Sequence, residues 1–204
     1  MYKRQLHVRC VFLYDQHDDS LKEMAWHLQK LQHLENLRFS CDKLSPSEAN
    51  ALQATLSTLK RLKTLDLSHL WLGDAPAHFL RFLSSMEQLQ QLDMSSCNLV
   101  HLHAAETLAE MLPKATGLKA LKLNRNPLRD DSVQALAAVL QSMPCLEQLA
   151  LSGSDVTNEG ANAVVSALDS HPAIVCCDLR ENIFVHRKLL PPVQRKGWLL
   201  VDRR

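Results

Sequence analysis

Two aspartates, two serines and a histidine raise the question of catalysis. Asp66 and Asp93 stand 27 residues apart, His69 follows the first, and Ser95 and Ser96 follow the second. An acid, an imidazole and a hydroxyl are the parts of a hydrolytic centre. They work only where a strained turn presents the nucleophile or a pocket encloses it, and no such pattern surrounds these residues. The sequence therefore reads as solvated side chains on an open face, with no catalytic residue. Metal chemistry fares no better. The cysteines Cys10, Cys41, Cys97, Cys145, Cys176 and Cys177 form no C-x-x-C pair, and the ten histidines form no H-E-x-x-H or i,i+4 pair. No metal and no cofactor is expected.

The elements that carry these residues are repeated. Leu118 to Leu128 reads L-x-x-L-x-L-x-x-N-x-L, the leucine-rich repeat signature. Equivalent blocks begin at Leu34, Leu62, Leu89, Leu146 and Ile174. Side chains alternate along a strand, so the fourth and sixth places of each block point together into the stack. Asn126 and Asn182 hold the polar ninth place. Asp42, Cys97 and Ser154 are small or polar variants of it. Leu70 cannot bond backbone there, which predicts an irregular turn over His69, Leu70 and Trp71.

The places between the inward residues form three outward rows. One reads Arg38, Asp66, Asp93, Lys122, Ala150, Asp178. The next reads Ser40, Ser68, Ser95, Asn124, Ser152, Arg180. A third reads Cys41, His69, Ser96, Arg125, Gly153, Glu181. Asp66 and Asp93 fall on adjacent strands, roughly 5 Å apart in backbone terms. The charged members Arg38, Asp66, Asp93, Lys122, Arg125, Asp178 and Arg180 are the candidate partner-binding residues. Trp26 lies two residues beyond the inward Met24 and so points outward, and Trp71 lies in a strand-exit turn. Both are candidate aromatic contacts, since tryptophan is enriched at interaction sites.

Helices connect the strands. Apolar ladders at i, i+3, i+7 and i+10 run Leu21 to Leu31, Ala49 to Leu59, Pro76 to Met86, Ala105 to Ala115, Val133 to Met143 and Ala161 to His171. Ser45-Pro46-Ser47-Glu48, Asp130-Asp131-Ser132 and Thr157-Asn158-Glu159 read as helix starts. The fold class is α/β: a curved solenoid of period about 28 residues, with a concave parallel sheet and convex helices.

Residues 1–184 read as the array, with a degenerate first repeat over 1–33 and further repeats starting near 34, 62, 89, 118, 146 and 174. In the first repeat a 26-residue step, placing Val8, Val11 and Leu13 inward, fits better than a 28-residue step that would turn Arg9 inward. The chain then begins inside a longer array. Residues 185–204 carry six Lys or Arg against one acid and read as a C-terminal cap. Trp198 to Val201 forms a last strand there, and Leu189, Leu190, Val193 and Trp198 cover the end of the stack. The formal net charge of +1 exerts no pull toward nucleic acid. No apolar run is long enough to span a membrane, and scattered cysteines without a sequon point to free thiols in the cytoplasm.

This period, with full helices, resembles the ribonuclease-inhibitor type of leucine-rich repeat, over about residues 6–184. The type is found in ribonuclease inhibitor, NOD-like receptor C-terminal domains, Ran GTPase-activating protein and tropomodulin. Only Gly160 keeps the helix-entry glycine of the type. The resemblance implies a protein-interaction module, the sensing or regulatory part of a larger NOD-like-type receptor or scaffold, with other domains of the same polypeptide upstream. It also implies an alternative, a GTPase activator resembling the Ran activator, with Arg125 in the strand-exit loop. The acidic tail of that family is absent.

Overall fold

The computed structural model describes residues 5–10, 19–41, 44–72, 77–99, 102–182, 185–186, 190 and 197–202. Eight strands lie side by side in chain order, all parallel: β1 Gln5–Cys10, β2 Asn36–Cys41, β3 Thr64–Asp66, β4 Gln91–Asp93, β5 Ala120–Lys122, β6 Gln148–Ala150, β7 Cys176–Asp178 and β8 Leu199–Leu200. Between them run α1 Asp19–Gln29, α2 Pro46–Thr58, a 3₁₀ helix Ala77–Ser85, α3 Leu102–Met111, α4 Arg129–Leu140 and α5 Asn158–Asp169. The result is a curved α/β leucine-rich repeat solenoid. Its helices pack on their neighbours along the array, as those of quasi-one-dimensional arrays do.

The core is a pair of ladders. Leu37, Leu65, Leu92, Leu121, Leu149 and Cys177 form one, and Phe39, Leu67, Met94, Leu123, Leu151 and Leu179 the other. None is more than 1% exposed. The helix ladders close on them: Leu52, Leu56, Leu83, Leu112, Leu140 and Leu168 are fully buried.

The ninth place ties each turn to its neighbours. Asn126 Nδ2 donates to Met94 O at 2.8 Å, and Asn182 Nδ2 to Leu151 O at 2.8 Å. Ser154 Oγ reaches Leu123 O at 3.2 Å and Cys97 Sγ reaches Leu67 O at 3.1 Å. All four side chains thus donate to the sixth-place carbonyl of the preceding repeat. The two asparagines also accept: Cys97 N and Leu99 N donate to Asn126 Oδ1, and Ser154 N and Val156 N to Asn182 Oδ1. Burial denies these amides water, so the side chains replace it.

The turn at Leu70 departs from expectation by being regular. His69 takes φ 64°, beside Ser96 at 58°, Arg125 at 54°, Gly153 at 63° and Glu181 at 60°. The main chain supplies what Leu70 lacks: Leu72 N donates to Cys97 O at 2.8 Å and Leu70 N to Leu67 O at 3.1 Å. Asp42 falls outside the described residues.

Three further expectations are corrected. First, β1 pairs with β2 through Leu6↔Leu37 and Val8↔Phe39, a 31-residue step rather than 26. That register aligns Leu6 and Val8 with the inward ladders and sets Arg9 opposite outward Ser40. Val11 and Leu13 lie outside the described residues. Second, the segment after β3 is a nine-residue 3₁₀ helix. At about 2.0 Å rise per residue it spans about 18 Å, as a twelve-residue α-helix does at about 1.5 Å. The tighter helix suits a repeat one residue shorter than the 28-residue period, and it stacks Phe79 edge-on to Phe82 at 5.5 Å. Third, Asp130 does not cap its own helix, since α4 starts after Leu128 with no side-chain cap. Asp130 instead reaches the next repeat. Its Oδ1 accepts Thr157 N at 2.9 Å and Gly160 N at 3.1 Å, and its Oδ2 accepts the Thr157 hydroxyl at 2.5 Å. A Cβ on Gly160 would stand 2.5 Å from Asp130 Oδ1, so the helix-entry glycine makes room for this staple. Ser45 and Glu48 form the expected capping box of α2, and Thr157 caps α5.

Past β7, Leu199 pairs with Cys177 and Leu200 with Asp178, while Trp198 and Leu190 are buried. Leu189 and Val193 lie outside the described residues. Among the described residues no helix is long and apolar enough to cross a membrane.

Candidate functional site

Strand register sets the concave row. Arg38 lies opposite Asp66, Asp66 opposite Asp93, Asp93 opposite Lys122, Lys122 opposite Ala150 and Ala150 opposite Asp178. Along the row the charge runs plus, minus, minus, plus, neutral, minus, so two carboxylates sit side by side between two cations.

Each carboxylate of this row does two jobs. Asp66 Oδ1 accepts the amide of Ser68 at 2.9 Å, Asp93 Oδ1 that of Ser95 at 3.0 Å, and Asp178 Oδ1 that of Arg180 at 3.0 Å. These bonds hold the chain as it leaves the strand, the Asx-turn role of aspartate. Asp66 Oδ2 meets Arg38 Nε at 3.1 Å, Asp93 Oδ2 meets Lys122 Nζ at 3.6 Å, and Asp178 Oδ2 meets Arg180 at 2.7 Å. The fork of Arg180 on Asp178 holds that carboxyl below its ordinary range, against the opposing effect of burial. The cations are about half exposed and the carboxylates about a fifth, so the pairs lie at the water boundary. Arg38–Asp66 and Lys122–Asp93 are each worth roughly 0.2–1 kcal/mol, little enough for a partner to rearrange them.

Arg125 lies at the strand-exit edge in the left-handed conformation. Its guanidinium lies 3.7 Å from Glu181 Oε2, two strands away. Gly153 stands between them, and a Cβ there would lie 3.5 Å from Arg125 Cγ. That is ordinary contact, so what favours glycine at this place is its φ of 63° rather than the space.

A hydrolytic arrangement is not formed among Ser95, His69 and Asp93. Ser95 Oγ is buried with no hydrogen-bond partner, and the nearer carboxylate oxygen already holds the Ser95 amide. Among the described residues no group of three His, Cys, Asp or Glu is placed to hold a metal. Cys97 and Cys177 are buried in the stack. Burial pushes the Cys97 thiol up to about 12 and the Cys177 thiol up as well, which makes them inert core residues. His171 is also buried, with Nε2 on Met143 O at 3.1 Å and Nδ1 accepting Ala173 N at 3.3 Å.

Trp26 and Trp71 are 55% and 45% exposed. They do not join the concave row. Trp71 follows the strand-exit turn, its amide 3.4 Å from Cys41 O. Trp26 lies on α1 with Lys30 Nζ 3.2 Å above its ring. Sequence reasoning missed a basic cluster at the strand-entry edge. Lys60, Arg61 and Lys63 precede β3 and stand beside His33 and Glu35, which precede β2. The 28-residue offset between those two segments was the available signal.

The geometry defines a class: a repeat solenoid whose parallel sheet presents a row of hydrogen-bonded, half-solvated charges. The comparisons agree. Residues 115–137 and 142–165 match the family model described as Leucine Rich repeat. The chain is 32% identical over 170 residues to Protein NLRC5 of Homo sapiens, which covers 83% of this chain and 9% of that protein. It is 29% identical over 147 residues to Ribonuclease inhibitor of Mus musculus, covering 71% of this chain and 32% of that protein. The chain thus spans a minor part of either relative. A crystal structure of a Bacteroides fragilis protein superposes with a TM-score of 0.50 at 12% identity, over 78% of this chain and 42% of that one, a likeness of fold alone. The chain is a leucine-rich repeat protein of the ribonuclease-inhibitor type, and its repeats form a protein-interaction module.

Proposed function

We propose that this module binds a protein partner on its concave face, through Arg38, Asp66, Asp93, Lys122, Arg125, Asp178 and Arg180, and performs no catalysis itself. The observation that carries the proposal is the paired register of the row, with Asp66 and Asp93 side by side and a cation at each flank. Backbone bonds already hold the carboxylates, so a partner meets an ordered surface and little entropy is lost on binding. Because five of the six places of the row from Arg38 to Asp178 are charged, electrostatic matching selects the partner. We further propose that the module is the sensing or regulatory part of a larger cytoplasmic receptor or scaffold of the NOD-like type, and that residues 185–204 cap the stack. The likeness to NLRC5 and the free thiols of Cys97, Cys145, Cys176 and Cys177 support that reading.

The test is a quantitative pull-down from the source cells with the parent and with Asp66→Asn/Asp93→Asn. Asparagine keeps the Oδ1 acceptor for the turn amides and removes the charge. The proposal expects a partner protein retained by the parent and lost by the variant, with equal melting temperatures. A variant that keeps every partner contradicts it.

A further inference from the structure

We propose that the strand-entry edge leading into β2 and β3 is a second docking surface, separate from the concave row, for an acidic segment of a partner protein. Its residues are Trp26, Lys30, Lys60, Arg61 and Lys63, all exposed. Hydrogen bonds make the cluster one surface. Arg61 lies 3.1 Å from His33 Nδ1, and Lys63 Nζ lies 3.1 Å from Glu35 Oε2, so the two segments run side by side. On the α1 side, Lys30 stands three residues before His33, with its Nζ 3.2 Å over the Trp26 ring.

The charge here is uncompensated, unlike that of the concave row. There, Arg38, Lys122, Arg125 and Arg180 each face a carboxylate. Further along the strand-entry side, Lys119 meets Glu147 at 3.0 Å and Lys114 lies 3.8 Å from Glu110. At the edge before β2 and β3 only Lys63 has an acid. Lys30 has an aromatic ring, Lys60 the carbonyl of Ser85 at 3.4 Å, and Arg61 an imidazole; among the described residues none of these three has a carboxylate at ion-pair distance. Three of the four cations thus stand without a carboxylate among the described residues, and one of them lies over an exposed indole.

That chemistry fits a carboxylate-bearing peptide. The guanidinium of Arg61 offers a fork that matches a carboxylate. Arg and Trp are the residue types that dominate binding energy at protein interfaces. Covering Trp26 with peptide would also desolvate its contact with Lys30 and strengthen it. A membrane fits less well, because the ammonium over Trp26 occupies the ring face that would enter hydrocarbon. A nucleic acid fits less well, because a chain of net charge +1 exerts no general pull on a phosphate backbone.

The experiment uses fluorescence anisotropy with a fluorescein-labelled peptide of glutamates interrupted by two leucines, titrated with the full chain. Lys30→Glu/Arg61→Glu should weaken binding about tenfold or more, since each reversal turns attraction into repulsion at an exposed site. Trp26→Ala should weaken it further, Lys122→Glu on the concave face should change it less than about twofold, and added salt should weaken the parent. Circular dichroism melts confirm that each variant is folded. Three results would overturn the proposal: no binding of the peptide by the parent, equal binding by Lys30→Glu/Arg61→Glu, or binding to phosphatidylserine vesicles in place of the peptide.

Discussion

Replacing Asn126 by leucine should cost the array a large part of its stability. Asn126 is fully buried. Its Oδ1 accepts two amides of the preceding repeat, Cys97 N at 2.9 Å and Leu99 N at 3.2 Å, and its Nδ2 donates to Met94 O at 2.8 Å and to Leu123 O at 3.0 Å. Leucine has the same branched heavy-atom skeleton and is somewhat larger, so the change removes polar partners without opening a cavity. Two donors and at least one carbonyl are then buried unpaired, at about 1–3 kcal/mol each, which gives roughly 3–9 kcal/mol. Domains are commonly stable by about 5–15 kcal/mol, so the loss is a substantial fraction. Asn126→Ser separates the contributions. Serine occupies this place at Ser154 and reaches the preceding carbonyl at 3.2 Å. Leu72 N, whose repeat is followed by Cys97 rather than an asparagine, finds the Cys97 carbonyl at 2.8 Å. The serine variant should therefore lose only about 1–2 kcal/mol. Urea unfolding followed by circular dichroism measures all three proteins. If Asn126→Leu unfolds within about 0.5 kcal/mol of the parent, the account of side chains tying successive turns together is wrong.

Four further outcomes follow from the same structure. Leu121→Asp places an unpaired carboxylate at a fully buried position, costing several kcal/mol, and a mutant that kept the parent's melting temperature would contradict the strand register. Gly160→Ala should destabilise by about 1–2 kcal/mol although alanine favours helices, because its Cβ displaces Asp130 from Thr157 and Gly160; a raised melting temperature would refute the staple. Alkylation of the folded protein should reach exposed Cys145 first and spare Cys97 and Cys177. Because Cys97 keeps its proton to about pH 12 in the folded chain and loses it near pH 9 when unfolded, stability should fall as pH rises above about 9, which melts at a series of pH values would show.

The repeat frame was legible because strand alternation repeats every two residues and leucine marks it six times. The rows from Arg38 to Asp178 followed directly, as did the outward Trp26. What was not legible depends on neighbours in space. Asp130 reads as a cap for the helix it opens, and only the packed repeat shows it bonding Thr157 and Gly160 instead. Asp66 and Asp93 read as free surface charge, and their second bonds to Ser68 and Ser95 N belong to turn geometry. That bonding also makes asparagine, rather than a reversed charge, the clean probe of these positions. In β1 alternation alone admits several registers, since no polar ninth-place residue anchors it. The basic edge is assembled from segments 28 residues apart, neither remarkable alone.

Site-specific photo-crosslinking tests the central claim most directly. A photoreactive residue is placed at Lys122, on the concave row, and in a second protein at Ala138, exposed on α4. With the partner captured by the parent, crosslinking should occur at 122 and not at 138, and Asp66→Asn/Asp93→Asn should abolish it. Crosslinking at 138 with none at 122 would place the partner on the helical side and contradict the concave-face account.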